Sequence, residues 1–192
     1  MFKKEIIWRE ILFQAVEKKR NKFTQKELAT QFGFSLSTIF NSLKIPRQVG
    51  AIEVRGRFFN VLSIEKLLTV WATHRNLKKE IIYQTQVDLP PLKIEAEMPA
   101  GVIYAAFSAF RLKFNYAPAD YDKVYVYTKD IAEIKKRFPP QRGRENLIVL
   151  KPDDFLAKYG EIPPIAQIYV DLWNLKEWYA QDFLEALKKK IF

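Results

Sequence analysis

The tightest constraint on this chain lies between Thr24 and Pro46, where start and stop signals for two short helices follow one another directly. In Thr24-Gln25-Lys26-Glu27 the threonine hydroxyl accepts from a free backbone N–H while the glutamate reaches back to the cap, which predicts a helix from about residue 25. That helix carries Leu28, Ala29 and Phe32 and stops at Gly33, the residue best able to take the left-handed conformation of a tight helix end. Ser35 caps the next helix. Its inward face is expected to be Leu36, Ile39, Phe40 and Leu43, at i, i+3, i+4 and i+7, and Pro46 forbids it from continuing far. Two short helices joined by a glycine-containing turn are the signature of a helix-turn-helix.

The flanking segments extend the pattern. Residues 3–20 repeat apolar side chains at helical spacing through Ile6, Ile7, Ile11 and Ala15, then end on Lys18-Lys19-Arg20, cations at the negative end of a helix. Gly50 to Leu62 reads as two short strands around Arg55-Gly56-Arg57, a hairpin that forms a wing. Ile64, Leu67, Leu68 and Trp71 restore the helical period from Ser63 to about Asn76. The order helix, helix, helix, hairpin over residues 1–76 resembles the winged helix-turn-helix family of transcription regulators.

Charge singles out the same segment. Residues 1–75 hold 14 Lys and Arg against 6 Asp and Glu, whereas residues 76–192 hold 18 against 16, so most of the net +10 lies in the first part and points to a local anionic partner. The outward side of the second short helix carries Ser35, Ser37, Thr38, Asn41, Ser42 and Lys44, with Arg47 towards its end, and no acid interrupts it. Asparagine pairs in bidentate fashion with adenine, hydroxyls and lysine reach phosphates or base edges, and a carboxylate there would be repelled by phosphate. Arg55 and Arg57 at the wing tip would enter a minor groove or grip the backbone. The candidate partner is therefore double-stranded DNA, with a protein-interaction module left as an alternative.

Residue usage excludes other chemistry. With no cysteine and one histidine, His74, the chain has no disulfide, no Cys-ligated zinc, no zinc site of two or three His and no thiol nucleophile. The charged N-terminus MFKKEIIWRE has no signal-peptide core and no stretch approaches a membrane span, so a cytoplasmic protein without membrane partners is expected. The glycine positions allow neither a P-loop nor a dinucleotide fingerprint, and no cofactor is expected.

From residue 77 the period changes. Tyr83, Thr85, Val87 and Leu89 alternate with polar residues, as do Leu92, Ile94, Ala96 and Met98, which predicts two strands joined at Pro90-Pro91. A helix over Gly101–Leu112, a strand over Val124–Thr128, a helix over Asp130–Arg137, a strand over Leu147–Leu150 and a helical remainder complete an α/β domain. Phe107, Phe110, Trp173, Trp178, Tyr179 and Phe183 fall at helical spacing and are expected in the core or a dimer contact. Asp120 and Asp122 have the spacing of a magnesium-binding carboxylate pair, the basis of an alternative in which the protein is a nucleotidyltransferase-like enzyme. Gln141-Arg142-Gly143-Arg144-Glu145 is a basic loop that reads equally as a phosphate site or a surface connection.

Gly101-Val102-Ile103-Tyr104-Ala105-Ala106, Lys123-Val124-Tyr125-Val126-Tyr127, Asn146-Leu147-Ile148-Val149-Leu150 and Ile168-Tyr169-Val170-Asp171-Leu172, with Ala180 and Leu187, resemble the C-terminal domain of the AbiEi family of abortive-infection antitoxins. The resemblance implies an α+β protein with a winged helix-turn-helix over 1–76 and a mixed α/β, nucleotidyltransferase-like domain over 77–192. It further implies an autorepressing antitoxin of a type IV toxin-antitoxin system, paired with a nucleotidyltransferase toxin. The second domain would mediate oligomerisation, as in a homodimer, or antitoxin activity. The chain lacks the Gly-Ser that precedes the catalytic carboxylates of active transferases, so no reaction is expected of it. Asp171 matches the family's aspartate and is expected to make a structural helix–helix contact.

Overall fold

In the computed structural model, which describes residues 1–192, the apolar repeat near the N-terminus forms α1 over Lys3–Glu17. Its burial reaches almost all round the helix, taking in Ile7, Trp8, Ile11 and Leu12 but also Glu5, Arg9 and Glu10. Buried charge requires partners. Glu5 accepts from the Phe2 amide at 2.8 Å and faces the buried Arg75 guanidinium at 3.9 Å. The Arg9 guanidinium donates to Gln167 at 3.4 Å.

Around α1 stand β1 (Lys22–Thr24), α2 (Gln25–Phe32), α3 (Leu36–Gln48), β2 (Ile52–Arg55), β3 (Phe58–Val61) and α4 (Ile64–His74). The expected cap positions hold, except that the Glu27 carboxylate, expected to reach back to Thr24, accepts from Arg20 at 2.5 Å. Thr24 Oγ1 accepts from the Glu27 amide, Gly33 closes α2 at φ 64°, and Ser35 Oγ accepts from the Thr38 amide. The strands form an antiparallel sheet in the order β1-β3-β2, with Arg55 opposite Phe58 across the Gly56-Arg57 turn. The three-residue strand β1 was not foreseen from the sequence.

One contact sets how α3 is seated. A proline inside a helix has no N–H for the carbonyl four residues back, and Pro46 lies inside α3, so the Ser42 carbonyl loses its helical donor. The fully buried Trp8 supplies one, donating from Nε1 to the Ser42 carbonyl at 2.8 Å. That approach turns Ser42 and Pro46 inward beside Ile39 and Leu43, all four buried. The inward face expected from the sequence is therefore corrected: Leu36 and Phe40 are turned outward and are 56% and 50% exposed.

These elements form one compact unit, Met1–Arg75, which also takes in Pro164–Val170 and Ile191–Phe192; a second unit comprises Asn76–Pro163 and Asp171–Lys190. A cut after residue 76 would thus strip Gln167 and Ile165 from the unit that holds them, the latter through the hydrogen bond that its backbone N–H donates to the Glu17 carboxylate at 2.8 Å.

The second unit contains β4 (Ile81–Thr85), α5 (Pro91–Ala96), β5 (Ile103–Ala105), α6 (Ala106–Phe114), β6 (Val124–Tyr127), α7 (Ile131–Arg137) and β7 (Leu147–Leu150). It also holds the end of α8 (Ile165–Trp173) and nearly all of α9 (Ala180–Ile191). Its sheet runs β4-β7-β6-β5, parallel between β6 and β7 and antiparallel elsewhere. Val124, Val126, Leu147 and Val149 pack on one face against Ile94, Met98, Ile134 and Phe138. On the other face Phe107 meets Tyr125 at 6.1 Å and Phe183 at 5.0 Å between ring centres.

Several predicted elements differ: the first strand ends at Thr85, leaving Val87 and Leu89 beyond it, and only a short 3-10 turn, Leu156–Tyr159, interrupts the loop before α8 where a helical remainder was expected. The alternation over Leu92–Met98 forms the helix α5, with Pro91 in its first turn, and Leu92 is exposed while Ile94 is buried. The helix expected over Gly101–Leu112 begins as β5, which pairs with β6, before α6 starts at Ala106. Asp171, expected to make a helix–helix contact, is buried and accepts from a strand residue: the Tyr127 hydroxyl donates to it at 2.8 Å. No helix is long and apolar enough to cross a membrane.

Candidate nucleic-acid interface

At about 100° per residue, the buried positions of α3 occupy one arc and Leu36, Ser37, Phe40, Asn41, Lys44, Arg47 and Gln48 share the opposite one, all exposed. Ser37, Asn41, Lys44 and Arg47, four of the residues selected from sequence, therefore stand together on one face. Ser35 and Thr38 sit at its N-terminal edge, where their hydroxyls are 2.9 Å apart and Ser35 also caps the helix. Ser42 is a correction. It is buried, its hydroxyl donates to the Ile39 carbonyl at 2.6 Å and its own carbonyl is held by Trp8, so it cannot meet a ligand.

The polar arc is not purely polar. Phe40 lies within it, and the Lys44 ammonium sits 5.5 Å from the centre of its ring, so the lysine stem covers part of an exposed aromatic surface. Leu36, Phe40 and Gln48 were missed as surface residues because the sequence does not reveal that Trp8 pulls the Ser42 edge of the helix inward.

At the tip of the β2–β3 hairpin Gly56 has φ 58°, which a two-residue hairpin turn requires and which a side chain would strain. Arg55 and Arg57 are both exposed there, Arg55 pairing with Glu53 at 2.7 Å. From Leu28 to Ile52 the sequence contains no acid, so the α3 face carries positive charge without an internal counter-ion. His74 is turned elsewhere, bonded through Nδ1 to the Val70 carbonyl at 2.9 Å and packed edge-on against Trp8.

In the second unit, Asp120, Asp122, Lys123, Arg144, Lys176 and Trp178 line an open cleft of about 640 Å³. Asp122 is already engaged, by Arg144 at 2.8 Å and by the Tyr179 hydroxyl, while Asp120 is exposed. The two are not gathered with a third His, Cys, Asp or Glu into a metal-sized cluster. Burial pushes the Tyr179 hydroxyl up, helped by its bond to Asp122, so it remains a donor to that carboxylate. Burial raises Tyr121 in the same sense, with its 2.7 Å bond to Glu95 adding to it. Each tyrosine is thus held as the donor of a donor–acceptor pair.

Of the aromatic series expected in a core or dimer contact, Phe107, Phe110, Tyr179 and Phe183 are buried, but Trp173 and Trp178 are exposed, Trp178 at 80%. Compared with known proteins, the chain matches no family model, no curated protein and no solved structure.

Proposed function

We propose that the protein binds double-stranded DNA through α3 and the β2–β3 wing and acts as a transcription regulator, the first unit being a winged helix-turn-helix. The observation that carries this is the acid-free face of α3, where Ser37, Asn41, Lys44 and Arg47 share one exposed arc and two exposed arginines mark the hairpin tip. A helix with its side chains is about 10–12 Å across, and the major groove is about 12 Å wide, so such a face fits the groove and brings Asn41 to base edges. Lys44, Arg47, Arg55 and Arg57 supply the phosphate contacts that hold the register. The AbiEi resemblance extends the reading to an autorepressing antitoxin paired with a nucleotidyltransferase toxin, the second unit serving oligomerisation or antitoxin activity.

The test separates base reading from backbone grip. Asn41→Ala is expected to relax preference at one or two base pairs of a selected duplex, at a cost of about 1–3 kcal/mol on that duplex and little on random DNA. Arg57→Ala should weaken both duplexes alike. Titrations of the full chain by fluorescence anisotropy give both numbers, and equal losses on specific and random duplexes for Asn41→Ala would remove Asn41 as a base reader.

A further inference from the structure

We infer that α3 reads the 5-methyl groups of thymine through Leu36 and Phe40, so that the duplex it prefers is rich in A·T pairs where the N-terminal half of α3 faces it. The inference rests on the DNA-binding reading above and adds the base class that the face selects. Leu36 and Phe40 are one helical turn apart, both at least half exposed, on the same arc as Asn41 and Lys44. They are not spare core residues, because Ile39, Ser42, Leu43 and Pro46 already fill the inward arc.

Charge decides the occupant. The arc holds Lys44 and Arg47 and no acid from Leu28 to Ile52, so its complement is a polyanion that also presents apolar groups. Duplex DNA does so in the major groove, where each thymine exposes a methyl group beside its O4 acceptor. Asn41, which follows Phe40 in sequence and shares the exposed arc with it, pairs in bidentate fashion with adenine, so both side chains favour A·T pairs. The Lys44 ammonium over the Phe40 ring places a cation against the methyl-reading surface, within reach of the adjoining phosphates. Burying one methyl group corresponds to about a three- to four-fold change in affinity.

The experiment uses the full chain and a duplex selected from a random 20-base-pair pool, in which each thymine is then replaced in turn by deoxyuridine. That change removes the methyl and leaves the hydrogen bonding intact. At one to three positions uracil is expected to lower affinity about three- to four-fold each. Leu36→Ala/Phe40→Ala should bind the thymine duplex more weakly and lose that sensitivity, and an unchanged melting temperature shows that these outward residues do not hold the fold. Single Phe40→Ala, read in the same way, should lose part of it. Indifference to uracil at every position, or equal sensitivity in the double variant, overturns the inference and leaves the apolar pair to a protein partner. No binding to any duplex would instead overturn the DNA-binding reading, and this inference with it.

Discussion

Replacing Trp8 by alanine is expected to remove about 4–6 kcal/mol of stability, because it empties a fully buried indole site and strips the Ser42 carbonyl of its donor together. For a chain of this length each kcal/mol moves the melting temperature by about 2–4 °C, so the transition should fall by about 10–20 °C. Trp8→Phe isolates the second part. It keeps most of the apolar volume, loses the N–H, and should cost about 1–3 kcal/mol. The cause can be checked through Pro46, since Pro46→Ala restores a backbone N–H four residues after Ser42. In that background the Ser42 carbonyl has a helical donor again, and Trp8→Phe should cost measurably less. A double-mutant cycle by urea denaturation reads the coupling. If Trp8→Phe costs the same with alanine at 46, the indole bond does not stand in for the missing helical one.

The second large effect is on binding. Lys44→Gln/Arg47→Gln/Arg55→Gln/Arg57→Gln removes the exposed cations of α3 and the β2–β3 hairpin tip without touching the core. At low salt it should weaken duplex binding on the order of 10²- to 10⁴-fold, since each lost phosphate contact forfeits the release of condensed counter-ions. Lys136→Gln/Lys151→Gln/Lys188→Gln/Lys189→Gln removes the same charge from exposed positions of the second unit. It is expected to change affinity by less than about three-fold, so that comparing the two variants in one titration separates a local interface from a general effect of net charge.

Much of the first unit was legible because its signals are local. Thr24, Gly33 and Ser35 act within a few residues of themselves, and each cap formed as its chemistry dictates. The hairpin turn was legible for the same reason, through Gly56. In the second unit, strands β6 and β7 were legible as runs of Val, Tyr, Ile and Leu buried on both faces.

What could not be read depended on distant partners. The seating of α3 turns on a bond between residues 34 positions apart, and without it the apolar spacing of Leu36 and Phe40 points inward. Ser42 is buried beside that contact, and Leu36, Phe40 and Gln48 stand on the exposed face of α3. The stretch Leu92–Met98 is too short for its alternation to distinguish a strand from a helix, and packing of Ile94 against the sheet decided for the helix. Residues 103–105 became a strand because β6 offered an edge, which no local pattern announces. Segments 164–170 joined the first unit through side chains such as Gln167, far from it in sequence.

The most direct measurement is the affinity of the full chain for a duplex across a series of salt concentrations, taken for the natural sequence and for the α3–wing variant. With about five phosphate contacts, log affinity should fall against log salt with a slope of about −4 to −5 for the natural sequence, and of about −1 or shallower for the variant. The same slope for both proteins, or no binding to duplex DNA at about 50 mM salt, would contradict the assignment of α3 and the wing as a DNA-binding face.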